Sequence, residues 1–434
     1  MMHAVIMAGG KGTRLAALTK GEIPKPMAPV LGKPILAWQL EQLKRYGVKR
    51  VTMIVGHLKE RILSYFQSGE DFGLTIDYIE ETEPLGTAGA FPYLKKTLQD
   101  EYFLLVFGDV LFDVDLHRME RFFLEKRAEV LLFAHPNSHP FDSDLIQADG
   151  DGRVLCFDSK HNVRDYWYDN CVNAGLYMLD RRVLDRVKEP RKTDLEKDIL
   201  APMAKAGAGV YAYRSPEYVK DVGTIERIEA AAEDMRSGFI EKRNLSRRQK
   251  AIFLDRDGVI NVLKGFVRRE EELELLPGVV EALRLVNSSE YLAIVVSNQP
   301  VIARGETTPE ELQTIFNKMK TLLGREGAYV DDVFYCPHHP DRGFPGERPE
   351  YKISCSCRKP QPGMLEAAAE AYHIDLAQSW MIGDSTTDIE CGKRGGCRTA
   401  LVKTGMGGTD RKFPAKPELV AEDLLDAVGH ILGC

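Results

Sequence analysis

LDRDGVIN, residues 254–261, sets two acids, Asp255 and Asp257, directly behind the apolar run Ile252–Leu254. A short continuous apolar run ended by acids and a glycine predicts a buried strand that presents its carboxylates at a sheet edge. Residues two apart at a strand end project the same way, so the two carboxylates are expected to converge on one point. Like charges at that range repel, and they stay together only with a cation or a shared proton between them. A divalent metal is the simplest such cation, and Gly258 lets the chain turn away. The stretch therefore predicts a site at the carboxyl edge of an α/β sheet, where open parallel sheets bind ligands.

Three further strand ends in the same half carry matching chemistry: VVSNQ with Ser297 and Asn298, CRKPQPG with Arg358 and Lys359, and MIGDSTTD with Asp384 and Asp388. A phosphoryl-transfer site needs a carboxylate nucleophile, a metal to neutralise charge and a cation on the phosphoryl oxygens. It also needs a proton donor for the departing alkoxide. All are present on separate strands that a parallel sheet would gather. In this order the motifs resemble the haloacid dehalogenase superfamily of phosphatases over nearly all of 250–434. The resemblance implies that Asp255 is the phosphoryl-accepting nucleophile and Asp257 the general acid and base, with Ser297 and Lys359 holding the phosphoryl group. It places Mg²⁺ on Asp255, Asp384 and the backbone carbonyl of Asp257, supported by Asp388. Within the superfamily, SNQPVIARG and YCPHHPD…CSCRKPQPGM are similar to the D,D-heptose 1,7-bisphosphate phosphatases and their histidinol-phosphatase relatives, in which Asn298, Arg304 and Arg358 would reach the substrate. Pro300 and Val301 depart from that pattern, which has a small residue and a glycine in a loop facing the substrate.

Cys336-Pro-His338 and Cys355-Ser-Cys357 form two close ligand pairs inside the stretch 336–357. Three thiolates and one imidazole suit tetrahedral Zn²⁺ with no open position, a structural ion for a loop too rich in Gly and Pro to order itself by burial. His339 competes by position, and the family resemblance favours His338. The other cysteines, Cys156, Cys171, Cys391, Cys397 and Cys434, show no such pairing.

The first half begins with its own strand and turn, HAVIMAGGKGTRL at 3–15. Gly9, Gly10 and Gly12 free backbone N–H groups to surround phosphate oxygens, with Thr13, and Lys11 and Arg14 add countercharge. The loop is neither a dinucleotide fingerprint nor a Walker A motif. Further on, IPKPMAP stiffly presents Lys25, EPLGTAGA offers small residues for a flat base, and VFGDVLF and VKDVGT put Asp109 and Asp221 at strand ends, a plausible Mg²⁺ pair for a nucleoside triphosphate. These pieces resemble the sugar-1-phosphate nucleotidyltransferases over roughly 1–238. The resemblance implies that Arg14 and Lys25 stabilise the transferring phosphates, Gly86 and Thr87 line the base pocket, Asp109 and Asp221 hold Mg²⁺, and Lys160, Asn173 and Glu196 face the sugar phosphate.

The chain has 434 residues, 28% of them charged and 44% hydrophobic. That length favours two ordinary domains, here 1–240 and 250–434, joined by the basic stretch EKRNLSRRQK, which has little to bury and is expected to be an exposed connector over 241–249. Alternation of β-rich runs (VTMIVG, YFLLVFGD, EVLLFAH; LAIVVSN, DVFYCP, SWMIGD, CRTALV) with helical stretches predicts an α/β class, each domain a mostly parallel sheet flanked by helices. A net charge of −7 argues against a nucleic-acid partner. No apolar run of about 18 residues marks a membrane span, and MMHAVIMAGGKGTR lacks a signal peptide's apolar core, so a cytoplasmic enzyme is expected. Its partners are sugar phosphate and NTP substrates, and homo-oligomerisation is left open. The two resemblances make one pathway: a heptose 1,7-bisphosphate that loses its 7-phosphate becomes a heptose 1-phosphate, a substrate of the first half's class. Two-domain heptose relatives suggest GTP. The alternatives are a phosphatase for another sugar bisphosphate or histidinol phosphate joined to a hexose-1-phosphate transferase, and a binding module with a dead site.

Overall fold

The computed structural model describes residues 2–10, 21–414 and 416–434. The chain forms two compact units. The first comprises 1–135, 144–159 and 172–244, and the second 136–143, 160–171 and 245–434.

The first unit is built on a nine-stranded mixed sheet. Strand His3–Ala8 lies at its centre, parallel to Arg50–Val55 and Tyr102–Phe107, and Arg50–Val55 is parallel to Thr75–Glu80. The long strand Val172–Asp180 runs antiparallel to Tyr102–Phe107 and to Val130–His135. Ala4, Ile6 and Ala8 alternate into one core, where Leu36, Leu40 and Leu43 of helix Ile35–Arg45 meet them. These spacings of two and of four, then three, are the strand and helix periods. A separate two-stranded ribbon pairs Val110–Asp113 with Tyr218–Asp221 in antiparallel register, Asp221 opposite Val110.

The second unit has a six-stranded, wholly parallel sheet in the order Asp332–Cys336, Tyr291–Asn298, Lys250–Leu254, Trp380–Gly383, Arg398–Val402, Leu419–Ala421. Successive residues of its central strands enter opposite cores: Ile252, Leu254, Ala293 and Val295 one, Ala251, Phe253, Leu292 and Ile294 the other. Burial on both faces is why these strands read as unbroken apolar runs rather than alternating ones.

Two features differ from the expected division. Segments 136–143 and 160–171 pack in the second unit, against helix Pro309–Arg325. Thr321 Oγ1 accepts from Tyr168 N (3.0 Å) and donates to Tyr168 O (3.1 Å), Lys320 pairs with Asp169 (2.8 Å), and Trp167 lies beside Lys318 and Arg325. Backbone docking of this kind leaves no periodic signal in sequence. The basic stretch is also not simply exposed. Arg243, Asn244, Leu245 and Gln249 are buried, and Asn244 Nδ2 donates to Asp113 and to the Tyr46 hydroxyl, so Lys242 and 246–248 are the exposed residues of the stretch. A run of polar residues buries here because the Asn244 and Gln249 amides find hydrogen-bond acceptors and Arg243 lies over the Phe239 ring, which composition does not reveal.

Candidate active sites

In the second unit, the carboxyl ends of the three central strands deliver Asp255, Ser297 and Asp384 to one edge. The loop carrying Lys359 is pinned there by a reciprocal pair: Asn298 Nδ2 donates to Lys359 O (3.1 Å), and Lys359 N donates to Asn298 Oδ1 (3.0 Å). Lys359 Nζ then reaches Asp255 Oδ1 (2.9 Å) and Asp388 Oδ1 (2.6 Å). Asp388 is fixed by a capping box: its Oδ2 accepts from Ser385 N and Oγ while Ser385 Oγ caps helix Thr386–Arg394. Carboxylate oxygens of Asp255, Asp384 and Asp388 lie within 4.8 Å of one another, a spacing that one cation can span. Burial pushes Asp255 up to about 7 and Asp384 up to about 8, each also raised by its acidic neighbours, and Lys359 opposes the rise. Such a cluster is expensive to ionise without a cation.

The expected convergence of Asp255 and Asp257 takes a different form. The Asp257 carboxylate turns onto the fully buried Arg256, whose Nη2 donates to both its oxygens (2.9 and 2.8 Å), and it also accepts from Asn261 and Gln299. Its carboxylate is thus aimed by side chains, and the acids grouped with Asp255 come from another strand end. Ser297 Oγ accepts from Gln299 Nε2 (2.8 Å). Arg304 is stacked between Phe266 and Phe344, with ring centroids at 4.6 and 4.4 Å, and Arg358 Nη1 donates to His338 O. Burial and the positive charge of Arg304 lower Arg358, so the two guanidiniums sit close enough to repel, an arrangement that an anion relieves. Pro300 and Val301 are buried, so the departure in that loop points into the core.

Cys336 Sγ, His338 Nδ1, Cys355 Sγ and Cys357 Sγ also lie within 4.8 Å of one another, with Sγ–Sγ and Sγ–Nδ1 separations of 3.2 to 3.7 Å among them. A tetrahedron of Zn–S bonds has edges of about 3.8 Å, so the four ligands are close to a closed site. Hydrogen bonding from Cys336 and Cys355 holds Cys357 down to about 5, while Cys336 is raised by Cys357. His339 is turned elsewhere, its Nδ1 accepting from Asp341 N.

In the first unit the ribbon register brings Asp221 beside Asp109, and Lys25, held between Pro24 and Pro26, bonds to Asp109 and lies 3.5 Å from Asp221. Arg227 Nη1 also donates to Asp221 (2.7 Å). The Lys25 ammonium thus already sits between the two carboxylates. Lys11, Gly12, Thr13 and Arg14 lie outside the described residues. Gly9 and Gly10 leave the end of strand His3–Ala8, and a side chain at Gly9 would meet Glu81 Oε2 at 2.6 Å. Gly86 and Thr87 lie against a later segment of the same unit. Gly86 has φ +77°, and a Cβ there would meet Thr193 O at 2.5 Å, while Thr87 Oγ1 accepts from Leu195 N (2.7 Å). These small residues let the loop lie against segment 191–195. Asn173 Nδ2 donates to Glu196 Oε1 (2.7 Å), whereas Lys160 belongs to the second unit.

Against known proteins, the Nucleotidyl transferase family matches residues 3–238, more than half the chain, and the HAD-hydrolase-like family matches residues 356–427. The chain belongs to the nucleotidyl transferase family. Its C-terminal part is an HAD-type phosphatase domain, 40% identical over 188 residues to the D-glycero-beta-D-manno-heptose-1,7-bisphosphate 7-phosphatase of Salmonella typhi, covering 43% of this chain and 95% of that protein. The phosphatase of the same description from Escherichia coli K12 is 39% identical over 185 residues, covering 42% of this chain and 90% of that protein. Among solved structures, HddC from Yersinia pseudotuberculosis aligns with a TM-score of 0.48 at 26% identity, over 54% of this chain and all of that one. The protein is therefore an enzyme with nucleotidyltransferase and phosphatase domains. Among the described residues, no helix is long and apolar enough to cross a membrane.

Sequence reading missed two groups in these domains. In the phosphatase domain it missed Arg256, a charged residue with no exposed surface that aims Asp257. In the nucleotidyl transferase domain it missed Glu81, which follows strand Thr75–Glu80, is 9% exposed, and has an Oε1 with no hydrogen-bond partner among the described residues. Burial raises Glu81 to about 7, partly offset by the Leu85 N–H. The only sequence signal was a run of acids, Glu80, Glu81 and Glu83, at the end of a strand and next to the expected base loop.

Proposed function

We propose that the chain makes a nucleotide-activated heptose in two steps, residues 250–434 acting first and residues 1–240 second. Asp255 attacks the phosphorus of the 7-phosphate of D-glycero-D-manno-heptose 1,7-bisphosphate. The P–O bond to the sugar breaks as Asp257 gives its proton to the departing oxygen, leaving an aspartyl phosphate. Asp257 then takes a proton from water, which attacks that phosphorus and frees phosphate and Asp255. Lys359 and Ser297 hold the phosphoryl oxygens, and Arg304 and Arg358 the distal phosphate. Mg²⁺ on Asp255, Asp384, Asp388 and the Asp257 carbonyl would neutralise phosphoryl charge when bound. Zn²⁺ on Cys336, His338, Cys355 and Cys357 would tie the 336–357 loop.

In the second step an oxygen of the sugar's 1-phosphate attacks the α-phosphorus of the nucleotide, and pyrophosphate leaves. Lys25 and Arg14 stabilise the transferring phosphates, Asp109 and Asp221 would hold Mg²⁺, and Asn173 and Glu196 face the sugar. Positioning and charge neutralisation supply the catalysis. Guanosine is the nucleoside we favour, supported by Glu81. A carboxylate offers two acceptors, and guanine alone of the four bases presents two adjacent donors, N1–H and the 2-amino group.

One observation carries the pathway: the reaction for which the Salmonella typhi and Escherichia coli phosphatases are named leaves a heptose 1-phosphate, the class of substrate that a nucleotidyl transferase takes. The deciding experiment incubates the whole protein with the bisphosphate, Mg²⁺ and each of four NTPs, and identifies products by mass spectrometry. A GDP-heptose is expected. Release of the anomeric phosphate, or transfer directly to the bisphosphate, would break the sequence of steps.

A further inference from the structure

We propose that Tyr177 is a positioning residue for the sugar phosphate, acting through Glu196. This rests on the reading above that Asn173 and Glu196 face the sugar.

Tyr177 is fully buried on strand Val172–Asp180, its ring against Phe107 with centroids 5.6 Å apart. The pairing of this strand with Val130–His135 shifts register between Asn173 and Tyr177. Gly175 lies within the break with φ +74°, where a Cβ would meet Phe107 at 2.9 Å. The irregularity brings both side chains onto one carboxylate oxygen: Tyr177 OH and Asn173 Nδ2 each reach Glu196 Oε1 at 2.7 Å, and they lie 2.8 Å from each other.

Donor and acceptor chemistry then fixes every orientation. Carboxylate oxygens accept only, so the Asn173 amide must turn its nitrogen toward Glu196. The phenol has a donor, the Asn173 amide, on one side, so its own proton goes to Glu196. Burial and the Glu196 charge raise the phenol well above its usual range, which keeps that proton in place. The consequence falls on Asn173 Oδ1, which is left buried without a hydrogen-bond partner among the described residues. An unpaired buried carbonyl oxygen favours a ligand that donates, and sugar hydroxyls donate. Glu196 itself sits on a π-helical turn, Leu195–Leu200, whose first N–H is held by Thr87. Such turns are frequent at functional sites.

The test is a double-mutant cycle in the full chain with Y177F, E196Q and the pair. KM is measured for GTP and for heptose 1-phosphate supplied as each anomer. Phenylalanine keeps the ring and removes one charge-assisted hydrogen bond, so KM for the sugar phosphate is expected to rise about 10-fold. KM for GTP should stay within about 2-fold, because its binding does not use this triangle. KM does not depend on the fraction of enzyme folded, so partial loss of protein leaves the comparison intact. In the E196Q background Y177F should add less than about 2-fold, since its effect runs through the carboxylate. A sugar-phosphate KM unmoved by Y177F, equal shifts in both KM values, or additive effects would overturn the proposal. If E196Q alone left the sugar-phosphate KM unchanged, the parent assignment of Glu196 would fail, and the role of Tyr177 with it.

Discussion

Replacing Glu81 by glutamine tests both the nucleotide and the electrostatics of the transferase site. Glu81 is 9% exposed and burial lifts it to about 7, so near neutral pH it is balanced between two forms with different recognition. Ionised, it offers two acceptors to the N1–H and 2-amino group of guanine. Protonated, it turns one acceptor into a donor that faces a donor. GTP affinity should therefore rise with pH through about 7 and level off above it. Glutamine carries the mismatched pattern at every pH, and bidentate pairs of this kind are worth about 1–3 kcal/mol. E81Q should bind GTP roughly 10- to 100-fold more weakly at pH 8 and lose the Glu81 step in the pH profile, with UTP affinity little changed. Isothermal titration of both nucleotides from pH 6 to pH 8.5, wild type beside E81Q, reads this out and cancels titration of the phosphates. Stability should move the opposite way. A carboxyl raised from 4.5 to about 7 on folding destabilises the empty protein progressively as pH climbs across that window, and the loss is complete above it. E81Q removes that penalty, on the order of 3 kcal/mol, so the nucleotide-free variant should melt higher than wild type at pH 8 and equally near pH 4.5. Equal GTP affinity in the two proteins, with a shared pH profile, would refute the placement of the base against Glu81.

Further outcomes are expected across the molecule. D255N should abolish phosphate release from the bisphosphate while sparing transfer to supplied heptose 1-phosphate, and D109A should do the reverse; malachite-green and pyrophosphate assays distinguish them, and loss of both activities in either folded variant would contradict separate sites. Protein purified without chelator should carry about one tightly held Zn²⁺ per chain by elemental analysis, and C357S should lower that content and the melting temperature together. T321V keeps shape but strips both hydrogen bonds from the Tyr168 backbone, which should destabilise the second unit by about 2 kcal/mol and lower the heat resistance of phosphatase activity by roughly 4–8 °C; an unchanged inactivation temperature would show that segment 160–171 does not dock there.

The sequence by itself determined the α/β class, the strands that end in Asp255, Ser297 and Asp384, and the Cys-His cluster. Each of these follows from local chemistry: an apolar run sufficient for a strand buried on both faces, an acid at its end, ligands two residues apart. Tertiary structure decided the partnerships. Asp388 joins the carboxylate cluster because a capping box turns it toward Lys359, and Asp257 leaves it because a buried arginine one residue earlier captures it. Gly86 and Thr87 read in sequence as a platform for a base, and the fold adds that they admit the backbone of a segment more than a hundred residues away. Segment 160–171 docks in the second unit through backbone hydrogen bonds to Thr321, an ion pair with Lys320 and the Trp167 ring beside Lys318 and Arg325. Contacts of this kind join residues far apart in the chain through single atoms, with no period and no composition to announce them, and only the folded chain brings those atoms together.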